Sequence, residues 1–290
     1  MNSEQAKRIM DISKNTYEMI AGNFSATRNR IWPEMEMLAR KYVRPGMKVL
    51  DLGCGNGRLL EVMPEVEYWG VDGCERLVGE AGNKSKIPIF NKIQNPKSPL
   101  RQGSSEASKK FFKVLDMLEL EKLGEKDFEV VFMFASFNHI AGEENRLNVL
   151  GDVRKILKPG GTVVMTNWNM WRINLGKSWW KYKLQFPRYK IQDTNKSKIQ
   201  NSNFQSSPNT KIQKFDLGFK DVLTLWQSGD KTKNGELYYR VFSLRELKNL
   251  MREVGFEVVE NYYSSDGGKA HWWNGKNVVT VGKVGREVGV

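Results

Sequence analysis

Cysteine and histidine are nearly absent from this 290-residue chain: Cys54 and Cys74 are its two thiols, His139 and His271 its two imidazoles. Two thiols cannot build a disulfide framework, and a structural zinc site needs four ligands from a set this chain barely possesses, so no metal site is expected. Long apolar runs are missing as well. No uninterrupted apolar stretch approaches the roughly 18 residues of a membrane span. Met1–Met10 carries Glu4, Lys7 and Arg8 where a secretory leader would place an apolar core. These absences exclude a secreted, cross-linked protein, leave no membrane partner to expect, and imply a soluble, cytoplasmic one. The length allows one large domain or two small ones with a buried core.

Positive charge is in excess, with 46 Lys and Arg against 33 Asp and Glu and a net +13. It is concentrated. Residues 83–110 and 190–214 are rich in Asn, Lys, Ser, Gln and Pro, lack a sustained helical or strand period, and share the word NKSKI at 83–87 and 195–199. Such composition marks low-complexity insertions, expected as long surface loops. They carry +6 and +4, and the acid-free stretch 171–189 carries +5, leaving −2 for the rest of the chain. A polyanionic partner therefore has to be argued from particular segments rather than from the net charge.

Between the insertions the chain alternates strand and helix signals. KVLD (48–51) and YWGVD (68–72) read as strands, FKVLD (112–116) as another, and FEVVFMFA (128–135) as a buried one. LLEVM (59–63) has helical spacing. Leu147, Leu150, Val153, Ile156 and Leu157 put one apolar face on a helix over 143–157, ended by KPGG (158–161), and TVVMTN (162–167) is the next strand. Ser243 and Glu246 form a capping box for a helix ended by Gly255, and 256–263 with 277–284 suit a terminal strand pair. The fold class implied is α/β, a doubly wound, mostly parallel sheet with helices on both faces.

The chemistry is carried by DLGCGNG (51–57), where the first strand turns toward a helix. Gly53, Gly55 and Gly57 let a ligand approach the backbone. The pattern differs from the dinucleotide fingerprint G-x-G-x-x-G, because Arg58 and Leu59 stand where a third glycine would fall. An acid at the strand end argues for a cationic ligand rather than a pyrophosphate. Asp51 suits a positively charged amino-acid end, Asp72 two ribose hydroxyls and Asp116 an adenine amino group, the parts of S-adenosylmethionine in order. The plainer alternative is a doubly wound protein whose strand-end acids only cap helices.

VLDLGCGNGRLL, YWGVD and ILKPGGTVVMTNW together resemble the class I S-adenosylmethionine-dependent methyltransferases over about 48–167. The resemblance implies a seven-stranded Rossmann-like sheet whose last strand is antiparallel. YEMIA (17–21), Phe24, Ser25, Thr27 and Arg28, and Trp32-Pro33 resemble the N-terminal signature of the tRNA wobble-uridine carboxymethyl methyltransferases. Asp221 and Val222 with Trp226, and YYRVF (238–242), resemble later segments of that family. The expected activity is esterification of a carboxymethylated wobble uridine in the tRNA anticodon loop. Eukaryotic members use a small zinc-binding activator subunit, so the resemblance also admits a partner of that kind.

The expected chemistry is modest in its needs. A carboxylate with a pKa near 4 is ionised at neutral pH and can displace a sulfonium methyl without a strong general base. Holding oxygen, carbon and sulfur in line supplies roughly 7–11 kcal/mol. Arg28 is the candidate for gripping the carboxylate, with packing on Trp32 or pairing with Glu34 as the alternative. His139 follows the 128–135 strand and is the second candidate catalytic residue, to orient the substrate by a hydrogen bond; a structural histidine is the alternative. Tyr17 and Trp32 are expected near the substrate. So are Trp179, Trp180, Lys181 and Lys183, in an aromatic and basic stretch suited to stacking bases and meeting phosphates, or, alternatively, to a lid over a small molecule. As domains, one methyltransferase domain over 1–290 is expected, with a helical cap over 1–42, the insertion at 83–110, and a substrate-binding insertion over 168–240 that includes 190–214. A small-molecule O- or N-methyltransferase, and a non-catalytic protein of the same fold that binds RNA or a partner, are the rival functions.

Overall fold

A computed structural model describes residues 1–28, 30–86, 89–90, 109–170, 217–227 and 234–285. Its helices are α1 (Ser3–Thr27), α2 (Pro33–Tyr42), α3 (Glu75–Ser85), α4 (Glu143–Ile156) and α5 (Leu244–Glu253). The strands are β1 (Lys48–Leu52), β2 (Glu67–Asp72), β3 (Ile89–Phe90), β4 (Lys110–Val114), β5 (Phe128–Phe134), β6 (Leu157–Trp168), β7 (Asp221–Gln227), β8 (Asn234–Arg240), β9 (Glu257–Ser265), β10 (Gly268–Ala270) and β11 (Asn277–Lys283). Nine of these strands form one sheet in the order β10-β9-β11-β6-β5-β1-β2-β4-β3, and β7 pairs with β8 as a separate antiparallel hairpin.

β4, β2, β1, β5 and β6 run parallel, and β11 enters antiparallel between β6 and β9. The expected seven strands are the body of the sheet, with the short β3 and β10 added at its edges. One face buries Leu50, Leu52, Val131, Met133 and Val163 against α4 and α5, and the other buries Val49, Phe132 and Val164 against α2 and α3. The alternation of these residues along each strand follows the two-residue period of a pleated sheet covered on both faces.

Several boundaries differ from the sequence expectation for physical reasons. Instead of a helix from Leu59, Arg58–Val62 is one short 3-10 turn, stopped by the extended backbone at Met63 before Pro64. The strand expected at 112–116 covers 110–114, and Asp116 lies in the following turn, where its carboxylate caps the 3-10 helix Met117–Leu123 by accepting from the Leu118 N–H. The KPGG segment ends α4 yet belongs to β6: Phe128 pairs Leu157 and Val130 pairs Thr162, so the extra residues bulge out between two paired stretches. Of 83–110, residues 83–85 finish α3 and 89–90 form β3. The stretch 190–214 lies outside the described residues. The Ser243 hydroxyl accepts from the Glu246 N–H at 3.3 Å, the first half of the capping box.

The ends of β1, β2, β4, β5 and β6 all open on the same edge of the sheet, and the chain direction across it reverses between β1 and β5. Ligands of open α/β sheets bind at such a switch point. Over this edge α1 is fastened to β8: the Thr16 hydroxyl donates to the Glu236 carbonyl at 2.9 Å and accepts from its N–H at 3.1 Å, and the Ser13 hydroxyl accepts from the Tyr238 N–H at 2.9 Å. Gly235 permits this approach, since a Cβ there would come within 2.4 Å of Thr16 Cγ2.

Candidate active site

The strand ends and α1 enclose a cavity of about 200 Å³. Asp51, Gly53, Gly55, Asp72 and Asp116 line it from the sheet, and Tyr17, Arg28, Trp32 and His139 line it as well. Residues separated widely in sequence thus converge on one space. Gly57 does not line it. Its φ of 71° is left-handed, and a Cβ there would meet Ala81 at 2.9 Å and the Phe112 ring at 3.1 Å, so this glycine serves the turn and the packing of α3. Gly53 combines φ 84° with an even closer approach, 2.3 Å from its would-be Cβ to Ser136 Cβ. The Ser136 hydroxyl in turn donates to the Leu52 carbonyl at 2.8 Å, which ties the loop after β5 to the glycine loop.

The carboxylates are held differently. Asp72 accepts from the Gly55 N–H and the Cys74 N–H, each at 2.8 Å, so one side chain fixes both the glycine loop and the start of α3. Burial still lifts its pKa above the usual carboxylate range. Asp51 is 2% exposed and accepts from the Tyr68 hydroxyl at 2.7 Å. Burial, with the negative charge of Asp72 adding to it, pushes its pKa up to about 7 against the smaller opposing effects of the Tyr68 hydrogen bond and the Arg58 charge. A buried carboxylate in that condition gains from a cationic ligand, because a positive charge beside it restores the ionised form.

These residues fit S-adenosylmethionine by their donor set. Asp51 would face the positively charged amino-acid end, Asp72 the ribose diol and Asp116 the adenine amino group, with Leu77, Met117 and Phe134 supplying apolar wall.

Elsewhere in the cavity wall, His139 Nδ1 lies 2.8 Å from the Tyr238 carbonyl and Nε2 lies 3.0 Å from the Tyr17 hydroxyl. A carbonyl can only accept, so the ring proton is on Nδ1 and the Tyr17 hydroxyl donates to Nε2. Burial pushes the imidazole pKa down to about 4, which keeps it neutral. Both ring nitrogens are therefore engaged within the protein. Tyr17 also meets His139 and Phe24 edge-on, at 5.4 and 5.6 Å between ring centres, and Tyr239 lies 4.6 Å from the His139 ring.

Arg28 caps the C-terminus of α1, with its guanidinium 4.2 Å above the Phe24 ring and 3.4 Å from the Thr27 hydroxyl. The residue that packs on Trp32 is Arg58, at 4.1 Å, and Glu34 instead accepts from Ser264 at 3.2 Å. Arg58 donates to the Arg30 carbonyl at 3.4 Å and lines the cavity. Burial first, and the neighbouring Arg28 second, lower its pKa to about 10. Trp32 meets Trp168 edge-on at 5.1 Å, so two indoles form one wall.

Sequence reasoning missed Arg58, Trp168, Met117 and Tyr239 as wall residues. Tyr239 could have been found from the strand period, because Tyr238 is fully buried on the other face of the hairpin and Tyr239 alternates with it. Nothing in the sequence signals that Arg58 turns back over Trp32. Trp179, Trp180, Lys181 and Lys183 lie outside the described residues. Among the described residues no cluster of His, Cys, Asp or Glu could hold a metal, and no helix is long and apolar enough to cross a membrane.

A family model described as a methyltransferase domain matches residues 25–261. The tRNA (carboxymethyluridine(34)-5-O)-methyltransferase of Schizosaccharomyces pombe is 25% identical over 259 residues, covering 89% of this chain and 92% of that protein. The ALKBH8 tRNA (carboxymethyluridine(34)-5-O)-methyltransferase of Macaca fascicularis is 29% identical over 171 residues, 58% of this chain and 22% of that longer protein. Among solved structures, an S-adenosylmethionine-dependent methyltransferase from Clostridium acetobutylicum superposes with a TM-score of 0.56 at 15% identity, covering 93% of this chain and 99% of that one. A Haloferax volcanii methyltransferase solved with the Trm112 methyltransferase activator gives 0.55 at 16% identity, covering 96% and 100%. At such identities the structures speak for the fold.

Proposed function

The chain belongs to the methyltransferase domain family and is an S-adenosylmethionine-dependent methyltransferase, and from that premise we propose that it esterifies the carboxylate of a carboxymethylated wobble uridine in tRNA. The observation that carries this reading is the pairing of two guanidiniums, Arg28 and Arg58, with the three acids Asp51, Asp72 and Asp116 in a single cavity. Acids suit a cationic cofactor. Two neighbouring guanidiniums, one of them buried, suit an anionic acceptor.

S-adenosylmethionine, when bound, supplies a sulfonium methyl that a carboxylate oxygen can take directly, giving a methyl ester and S-adenosylhomocysteine. The protein has no proton to remove, because the acceptor is already ionised at neutral pH. Arg28 holds the carboxylate in plane and Arg58 adds positive charge beside it. His139 acts as a positioning residue: its Nδ1 proton anchors it to Tyr238 and its Nε2 fixes the Tyr17 hydroxyl at the cavity wall. Trp32, Trp168 and Tyr239 line the cavity with aromatic surface suited to a base. The basic, aromatic stretch 171–189 supports an RNA acceptor by its composition.

The names of the relatives from Schizosaccharomyces pombe and Macaca fascicularis support the same acceptor. A small activator subunit, such as the Trm112 activator solved with the Haloferax volcanii methyltransferase, belongs to this reading as a partner. The test is to supply purified protein and methyl-labelled S-adenosylmethionine with bulk tRNA in one reaction and a small-metabolite extract in another. Label is expected in tRNA. Label in metabolites alone would sink the tRNA reading in favour of a small-molecule methyltransferase.

A further inference from the structure

The turn that joins β10 to β11 exposes aromatic rings on a rigid backbone. Residues 271–274 are exposed, with Trp272 at 52% and Trp273 at 53% of their full accessibility. His271 stacks on Trp273 with ring centres 4.4 Å apart and planes within 1° of parallel, and Trp272 meets Trp273 edge-on at 5.9 Å. The backbone beneath them is pinned. The Asn274 side chain accepts from the His271 N–H at 2.8 Å, and the His271 carbonyl accepts from the Gly275 N–H at 2.7 Å. Gly275 is buried against Tyr263, where a Cβ would come within 2.8 Å of another.

The turn is also tied to the cavity wall. Asn169 donates from Nδ2 to the Trp272 carbonyl at 2.8 Å and to the Gly275 carbonyl at 2.9 Å, and its N–H donates to the Lys276 carbonyl at 2.9 Å. Asn169 directly follows Trp168, which lines the cavity and pairs across the sheet with Asn277. The backbone of the turn is therefore held directly against the end of the strand that carries Trp168. Two half-exposed tryptophans on a backbone already held in one conformation are unusual on a protein surface unless something covers them.

We infer that the 271–273 turn is a stacking platform for an unpaired nucleotide flanking the target base, so that the strand delivering one base to the cavity rests a neighbouring base on Trp273 and Trp272. This rests on the RNA reading above and adds to it a specific contact outside the cavity. Continuity supplies the occupant: a base taken into the cavity past Trp168 brings its neighbours along the same backbone to the adjacent surface. Indole faces accept any base, the flanking Lys269 matches a phosphate backbone in charge while Lys276 is paired with Asp266 at 2.5 Å, and the absence of backbone adjustment keeps the ordering cost low.

The test compares wild type with Trp273→Ala, Trp272→Ala/Trp273→Ala and Trp273→Phe, using the full chain and a fluorescently labelled anticodon stem–loop RNA. Loss of stacking is expected to weaken RNA binding by about 5- to 150-fold in the double variant. KM for tRNA should rise similarly, while kcat and affinity for S-adenosylhomocysteine stay unchanged. Trp273→Phe should retain most of the affinity, because a phenyl ring still stacks. A double variant with wild-type RNA affinity overturns the platform, and if wild type methylates tRNA it leaves the tRNA reading standing. A wild type that transfers no methyl to tRNA, yet binds the stem–loop through these tryptophans, overturns the tRNA reading and keeps the platform. A double variant that binds RNA normally but loses a small activator subunit assigns the turn to a protein partner and overturns the inference.

Discussion

On the acidic side of the cavity, the hydrogen bonds that hold Asp51, Asp72 and Asp116 span at most 17 residues of chain. On the side proposed to take the substrate, the Tyr17–His139 contact spans 122 residues and the His139–Tyr238 contact 99, while Thr16 reaches Glu236 across 220. The hydrogen bonds that orient each acid are made largely within neighbouring strands and their turns. The substrate side exists only when α1 and the β7–β8 hairpin have docked over the sheet edge. A change on one side should therefore leave the other nearly intact, and that independence can be broken or sharpened by mutation.

The largest expected effect is on the substrate side. Arg28→Ala should lower methyl transfer by about 10²- to 10³-fold, as for the loss of one well-placed charge-stabilising donor, with cofactor affinity unchanged. A variant that turns over like wild type would remove Arg28 from the mechanism. Next, Asp72→Ala removes the acceptor for two backbone N–H groups and, in the proposed site, for the ribose. Cofactor affinity measured by calorimetry should fall by about 10²-fold, each hydrogen bond to a charged group contributing roughly 1.5–3 kcal/mol. Its stem–loop affinity should stay at the wild-type level, and a parallel loss of RNA binding would contradict the separation of the two sides.

Two smaller effects sharpen the same contrast. Tyr17→Phe removes the hydrogen bond to His139 Nε2 while keeping the ring contacts, so kcat/KM should fall by about fivefold from the loss of roughly 1 kcal/mol. Cofactor binding should not change. The last concerns pH. The folded-state pKa of Asp51 is raised from 3.8 to about 7, so its contribution to stability is largest at low pH and is lost as pH climbs through that window. A cationic ligand needs the ionised form. Cofactor affinity should therefore rise with pH and level off above about 7, and Asp51→Asn should flatten the profile. An affinity independent of pH in the wild type would show that Asp51 faces no positive charge.

The same contrast explains what could be read from the sequence. The glycine loop, the strand-end acids and the parallel order of the sheet are visible because each is a local pattern of fixed period or fixed turn. Asp116 was legible as a residue but placed on a strand, when the strand stops at Val114 and the carboxylate caps the next turn. Arg28 stands out through resemblance and His139 by its place after the 128–135 strand, yet their partners do not, since no local spacing predicts that Tyr17 and Tyr238 take the two nitrogens of one imidazole. Arg58 looked like an interruption of a glycine pattern and instead stacks on Trp32, an outcome that depends on how α2 docks. The 271–273 turn gave no periodic signal. Its meaning comes from Asn169, about a hundred residues earlier in the chain.

Nucleoside mass analysis is the sharpest check on whether the acceptor is a carboxylate on a tRNA uridine. Carboxymethylated tRNA is incubated with the protein and S-adenosylmethionine, digested to nucleosides, and compared before and after treatment with mild base. One uridine derivative is expected to gain the mass of a methyl ester and lose it again in base, as an ester must. A methyl group that survives mild base, or one found on a nucleoside without a carboxylate, would contradict it.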